Sequence, residues 1–222
     1  MAKASASLPP KTGFPALRKV PPGLWWRIHS FDAASGQHAP QAFNGSGLGN
    51  ARFSPLHGPA GVIIPTLYAA GSLDGALMET VLHDVPYPSD GHIHDIDRSL
   101  RGTLHASSIE ITVALDLVDL TKIGLQRIGL RVSEVFETEA HDYPRTRAWA
   151  HTLRDALPAA QGLYWMSSRQ PECPAMVLFG DRVPAHAVQP GPTPSMPLSN
   201  AKVYASLLAL LQRLGCGVSP NR

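Results

Sequence analysis

Cysteine is nearly absent: 222 residues hold only Cys173 and Cys216, at no spacing suited to a metal or redox pair. A disulfide-built scaffold is excluded, and two free thiols in a reducing compartment are expected. Charge is also sparse. Charged residues make up 16%, the formal net charge is +2, and no run of lysine and arginine stands out. A surface that binds nucleic acid by neutralising phosphates is therefore not expected. Long apolar runs are missing as well. The longest apolar helix candidate, residues 203–214, contains Gln212 and Arg213 and is too short to span a bilayer. The first ten residues lack the apolar stretch of a secretory signal. The expectation is a cytoplasmic protein with no membrane contact and no direct nucleic-acid contact. Its apolar share of 44% is enough to build a folded core.

Residues 1–22 hold prolines, small residues and lysines without periodicity and read as a flexible leader. Residues 24–29 favour a strand through their tryptophans. Residues 32–61, rich in Gly, Ala, Ser, Asn and Pro, read as one long loop, and a long loop inside a domain is often functional. Residues 62–69 read as a buried strand. Ser72 or Asp74 then caps a helix to about His83, with Leu73, Ala76, Leu77 and Val81 inward and Glu79 off the centre of that stripe. Ile109, Ile111, Val113, Leu115 and Leu117 alternate as a strand. Pro144 opens a helix to about Leu157, followed by strands at 162–166 and 175–179. Five prolines between 184 and 197 read as a stiff linker to a last amphipathic helix, capped by Ser199 or Asn200 and ended by Gly215. Strands dominate and strict strand–helix alternation is absent, so the fold class is α+β.

Five side chains stand in short apolar or glycine-rich settings: Leu-Trp-Trp-Arg27-Ile, Gly-Asn-Ala-Arg52-Phe-Ser-Pro, Thr-Leu-Tyr68-Ala-Ala, Ala-Leu-Met-Glu79-Thr-Val-Leu-His and Tyr-Trp-Met-Ser167-Ser-Arg. Arginine has the fork geometry that a diphosphate asks for. Tyrosine can wall an aromatic ring, and serine can donate to a phosphate or ribose oxygen. One carboxylate is enough to break a bond to a pyridinium, because that leaving group departs neutral without a general acid. The transition state is oxocarbenium-like and needs negative charge beside the ribose, for which Glu79 is the candidate. The set points to NAD as a substrate to be cleaved.

In this order, Trp-Arg27-Ile, Ala-Arg52-Phe-Ser-Pro, Leu-Tyr68-Ala-Ala, Ala-Leu-Met-Glu79 with Val-Leu-His, Leu-Asp-Leu-Val-Asp-Leu-Thr, and Tyr-Trp-Met-Ser167-Ser-Arg with Val-Leu-Phe-Gly-Asp-Arg resemble the RES domain, the toxin half of bacterial toxin–antitoxin pairs. The resemblance covers residues 23–185 and leaves the leader and residues 186–222 outside. It implies an ADP-ribosyltransferase-like core of mostly antiparallel strands, NAD as substrate without a metal, and an Xre-type antitoxin as partner. Members attack NAD by hydrolysis, by phosphorolysis or by transfer of ADP-ribose to a protein. By motif, Arg27 and Arg52 take the diphosphate side, Tyr68 the nicotinamide end and Glu79 the ribose at the reacting carbon. Ser167 is the family serine, with Ser168 as its adjacent rival. Two positions depart from the family pattern: Ile28 stands where many members have tyrosine, and Phe53-Ser54 where many have Trp-Asn.

Other readings compete. His83, His92, His94, Asp95 and Asp97 form a histidine-rich segment that would suit a metal-dependent hydrolase, although a solvated loop explains it as well. A shell that binds NAD or ADP-ribose with little catalysis is another alternative, motivated by Ile28 and Ser54. The stripe of Val203, Tyr204, Leu207, Leu208 and Leu211 must bury itself on its own domain, or in a homodimer or antitoxin contact.

Overall fold

The computed structural model describes residues 15–31, 38–83, 85, 93–94 and 103–218. Its strands are β1 (Leu17–Val20), β2 (Gly23–Ser30), β3 (Leu56–His57), β4 (Ile63–Ile64), β5 (Thr66–Ala70), β6 (Ile93–His94), β7 (Leu104–Ile111), β8 (Leu115–Asp119), β9 (Gly162–Met166), β10 (Pro174–Phe179), β11 (Val188–Pro190), β12 (Met196–Pro197) and β13 (Gly217–Val218). The helices are α1 (Leu73–Thr80), α2 (Lys122–Arg127), α3 (Val132–Phe136), α4 (Tyr143–Ala156) and α5 (Ala201–Arg213). The expected α+β class holds.

Nine strands form the main sheet in the order β1-β8-β9-β10-β5-β2-β7-β11, with β12 also on β7. Only the β8–β9 pair is parallel among these ladders. The joint between β5 and β2 is a single rung, Trp26 opposite Ala70. One half-sheet is β1-β8-β9-β10-β5 and the other is β2 with β7, β11 and β12. Leu67, Leu117 and Met176 from the first half share a core with Trp25, Ile109 and Ile111 from the second. The halves therefore close on each other on one side of the joint. On the other side, β2 runs on through Arg27 to Ser30 with partners only on β7.

Several sequence expectations change for identifiable reasons. Pro65 has no N–H and divides the expected strand at 62–69 into β4, which pairs with β3, and β5, which pairs with β10. The alternation from Ile109 to Leu117 spans two strands, β7 and β8, which lie in different half-sheets. Both strands bury the same set into one core, so the alternation keeps its phase across the corner. Residues 17–20, within the expected leader, form the edge strand β1. Three of its four residues are exposed, which leaves no inward stripe to read. The proline-rich stretch supplies β11 and β12 on β7 rather than a free linker. α2 and α3 were not anticipated; both are short.

α1 starts where Ser72 Oγ accepts from Gly75 N, and α5 where Asn200 Oδ1 accepts from Lys202 N. α5 lays Val203, Leu207, Leu210 and Leu211 on a second core with Leu73, Leu77 and Met78 of α1. Its apolar stripe is thus buried on its own domain, behind the helix that carries Glu79. Leu207 is fully buried, so Leu207→Ala should lower stability by about 2–5 kcal/mol in urea unfolding.

Candidate functional site

A cavity of about 460 Å3 opens where the half-sheets part. Trp26, Arg27 and Ile28 of β2, Tyr68 and Ala70 of β5, and Glu79 of α1 line it, with Asn50, Arg52, His83, Tyr143 and Trp165 around the rest. Four of the expected site residues, Arg27, Arg52, Tyr68 and Glu79, are thereby brought together. Ser167 and Ser168 are not in the lining. Ser167 is buried, and its Oγ accepts from Gln170 N at 3.1 Å in the turn between β9 and β10. Ser168 is exposed on that turn.

Arg52 is far from a free limb on a loop. It is only 9% exposed. Its Nη1 donates to Val135 O in α3 and to Thr138 Oγ1 just past that helix, both at 2.5 Å, and its Nη2 donates to His83 Nε2 at 2.9 Å. The guanidinium carbon lies 5.6 Å from the Phe136 ring centre and 5.4 Å from that of Tyr143, within cation–π range of both. Thr146 Oγ1 of α4 donates to Arg52 O at 2.5 Å. The turn itself is closed by the bridge between Ala51 and Ser54. The charge is thus held in place from two helices before any ligand arrives.

Arg27 is half-buried, and its Nη1 donates to Pro40 O and Ala42 O, each at 2.8 Å. Its Nε is buried without a partner among the described residues. Burial pulls the guanidinium down to about 10, still protonated at neutral pH. Tyr68 takes the opposite shift for the same reason: burial pushes its phenol up to about 12. The hydroxyl stays protonated and accepts from Phe53 N at 3.0 Å. Trp165 meets Tyr68 and Phe53 edge-on and stacks on Phe136, giving the cavity an aromatic floor.

Glu79 differs from these groups. It is half-buried on α1, and its carboxylate has no hydrogen bond or ion pair with another described residue. It is the only carboxylate among the described lining residues, set against two arginines. The arrangement favours an anionic ligand and leaves one negative charge unengaged for whatever cationic character develops in it.

His83, which the sequence grouped with His92, His94, Asp95 and Asp97, belongs to this site. Arg52 donates to its Nε2, so that nitrogen serves as the acceptor. Tyr143 Oη lies 3.3 Å from the same nitrogen. The side chains of the other four lie outside the described residues. Among the described residues no group of His, Cys, Asp and Glu is arranged to hold a metal ion. Tyr143 carried no sequence signal beyond its residue type, and Asn50 and Trp165 stood within the quoted motifs without a role of their own.

A family model described as the RES domain matches residues 24–199. The chain belongs to the RES domain family. The match takes in β11 and β12, so the proline-rich stretch lies within the RES domain. A chain in the crystal structure of the M. tuberculosis MbcT–MbcA toxin–antitoxin complex shares the fold, with TM-score 0.56 and 17% identity, over 87% of this chain and 92% of that one. No curated protein matches. Among the described residues of this RES domain, no helix is long and apolar enough to cross a membrane.

Behind Arg27, His29 donates from Nδ1 to Ser30 O and receives Ser107 Oγ–H at Nε2, each at 2.8 Å. Burial first, then the charge on Arg27, hold its imidazole down at about 4, against 6.5 in the unfolded chain. As pH falls below 6.5 the unfolded chain takes a proton that the folded one refuses until about 4. Stability from this residue is therefore present at neutral pH and lost between those values, by at most about 3 kcal/mol. Urea unfolding at pH 7 and pH 4.5 should show the decline, and His29→Gln should flatten it.

Proposed function

We propose that this RES domain cleaves the bond between nicotinamide and ribose in NAD and passes ADP-ribose to an acceptor, acting as the toxin of a toxin–antitoxin pair. The observation that carries the reading is the meeting of Arg27, Arg52, Tyr68 and Glu79 around one cavity, with the Glu79 carboxylate free of partners among the described residues.

The C1′–N bond breaks, and its electron pair goes to the ring nitrogen, which leaves as neutral nicotinamide. No acid is needed at that atom. Positive charge grows on the ribose, where Glu79 accepts from a ribose hydroxyl and stabilises the oxocarbenium. Arg52 offers the diphosphate a cation that is already fixed, which reduces reorganisation during the step. Arg27 adds a second cation with an unused Nε. Tyr68 and Trp165 give the nicotinamide an aromatic wall. Water, phosphate or a protein nucleophile then adds at C1′ and gives up its proton. Ser167 enters this scheme by supporting the β9–β10 turn rather than by touching the ligand. Shared fold with a chain of a toxin–antitoxin complex supports an antitoxin as the partner, and the Xre type is what the family resemblance implies.

Purified protein incubated with NAD should release nicotinamide, followed by chromatography. Glu79→Gln should lower kcat by about 100-fold or more with KM little changed. Arg52→Lys, which loses the fork, should raise KM by about ten-fold. Wild-type protein releasing no more nicotinamide than Glu79→Gln would sink the reading. NAD bound without release would instead identify a non-catalytic binder. Ser167→Ala should reduce stability by about 1 kcal/mol through the lost turn bond.

A further inference from the structure

Two residues before Arg52, Asn50 also lines the cavity. Its Oδ1 accepts from Arg147 Nη1 at 2.8 Å. The same Nη1 donates to Ala51 O at 3.2 Å and Ser54 O at 3.3 Å, bracketing the turn that carries Arg52. Arg147 itself lies outside the cavity lining, on α4. An asparagine amide has one accepting end and one donating end. Because a guanidinium can only donate, Arg147 fixes which end is which: Oδ1 faces the arginine, and the two Nδ2 hydrogens are left over. No described residue accepts from them.

We propose that Asn50 is a ligand-binding residue of this cavity, donating through Nδ2 to a phosphate oxygen of the dinucleotide, with Arg147 as the positioning residue that sets its amide. The inference rests on the reading of the cavity as an NAD site. An exposed asparagine without such a partner would rotate freely and present oxygen to the anion half the time. Arg147 removes that freedom before binding, and it holds Asn50 and Arg52 on one rigid turn, so that both meet the same anionic group.

Asn50→Asp tests this at constant size. The aspartate keeps its bond to Arg147 but replaces the two donors with a negative oxygen. KM for NAD should rise by about ten-fold or more, with kcat within about two-fold of wild type. Asn50→Ala should show a smaller rise, as should Arg147→Ala, with partial rescue by Arg147→Lys. Thermal unfolding of each variant separates these effects from loss of fold. An unchanged KM in Asn50→Asp, with wild type active, would overturn the inference and leave the NAD reading intact. Calorimetry with inorganic pyrophosphate provides the converse arm. If wild type releases no nicotinamide, yet pyrophosphate binding weakens by about ten-fold in Asn50→Asp, the donor role stands and the NAD reading fails. Wild type that binds neither NAD nor pyrophosphate would overturn both.

Discussion

The single rung between Trp26 and Ala70 is the constraint on which the site depends. A longer ladder would zip β2 against β5 and leave no space between them. No rung at all would let the half-sheets drift. One pair, with a shared core of large apolar side chains on its closed side, holds the two strands together and lets them part immediately afterwards. Arg27 lies just past the rung on one strand, and Tyr68 lies two residues before it on the other. The cavity is thus a consequence of sheet topology rather than a hole left by poor packing.

Around that opening the two charge types are treated in opposite ways. Arg52 is nearly buried and its donors are engaged by a carbonyl, a hydroxyl and an imidazole, with aromatic rings beside it. These partners are neutral dipoles and rings, so they offset the cost of desolvating the guanidinium without adding a negative charge of their own. Arg27 follows the same pattern with two carbonyl oxygens. A carboxylate in place of these dipoles would have offset the positive charge at the same positions. The bonds seen at each arginine thus fix its geometry through dipoles.

How much of this was legible in the sequence depended on how local the cause was. α1 and α5 could be read because cap, stripe and terminator all lie within one segment. Glu79 could be placed off the buried stripe by counting alone. The break between β7 and β8 could not be read, since alternation reports which face meets the core and both strands meet the same one. β1, β11 and β12 were hidden because a short or exposed edge strand carries no periodicity. The four lining residues found in advance each stood in a distinctive local setting. His83 was visible, but its place beside Arg52 was not, since that bond crosses 31 positions of sequence. In the sequence Arg52 stands in a glycine-rich setting that shows no structural task for it. The structure gives it several, all through residues too distant in the chain for any local pattern to show.

That Glu79 has no partner among the described residues follows from the same geometry. A carboxylate facing two arginines would ordinarily form an ion pair with one of them. Here Arg52 is drawn away by α3 and His83, and Arg27 by the carbonyls of the loop at residues 40–42. The bonds that fix the cations therefore also keep them off the carboxylate. Loosening either arginine would allow it to collapse onto Glu79, cancelling the anion-binding charge and the one group suited to stabilise a growing cation. The anchoring bonds of Arg27 and Arg52 act on reactivity as well as on binding, because they are what keeps opposite charges apart within one cavity.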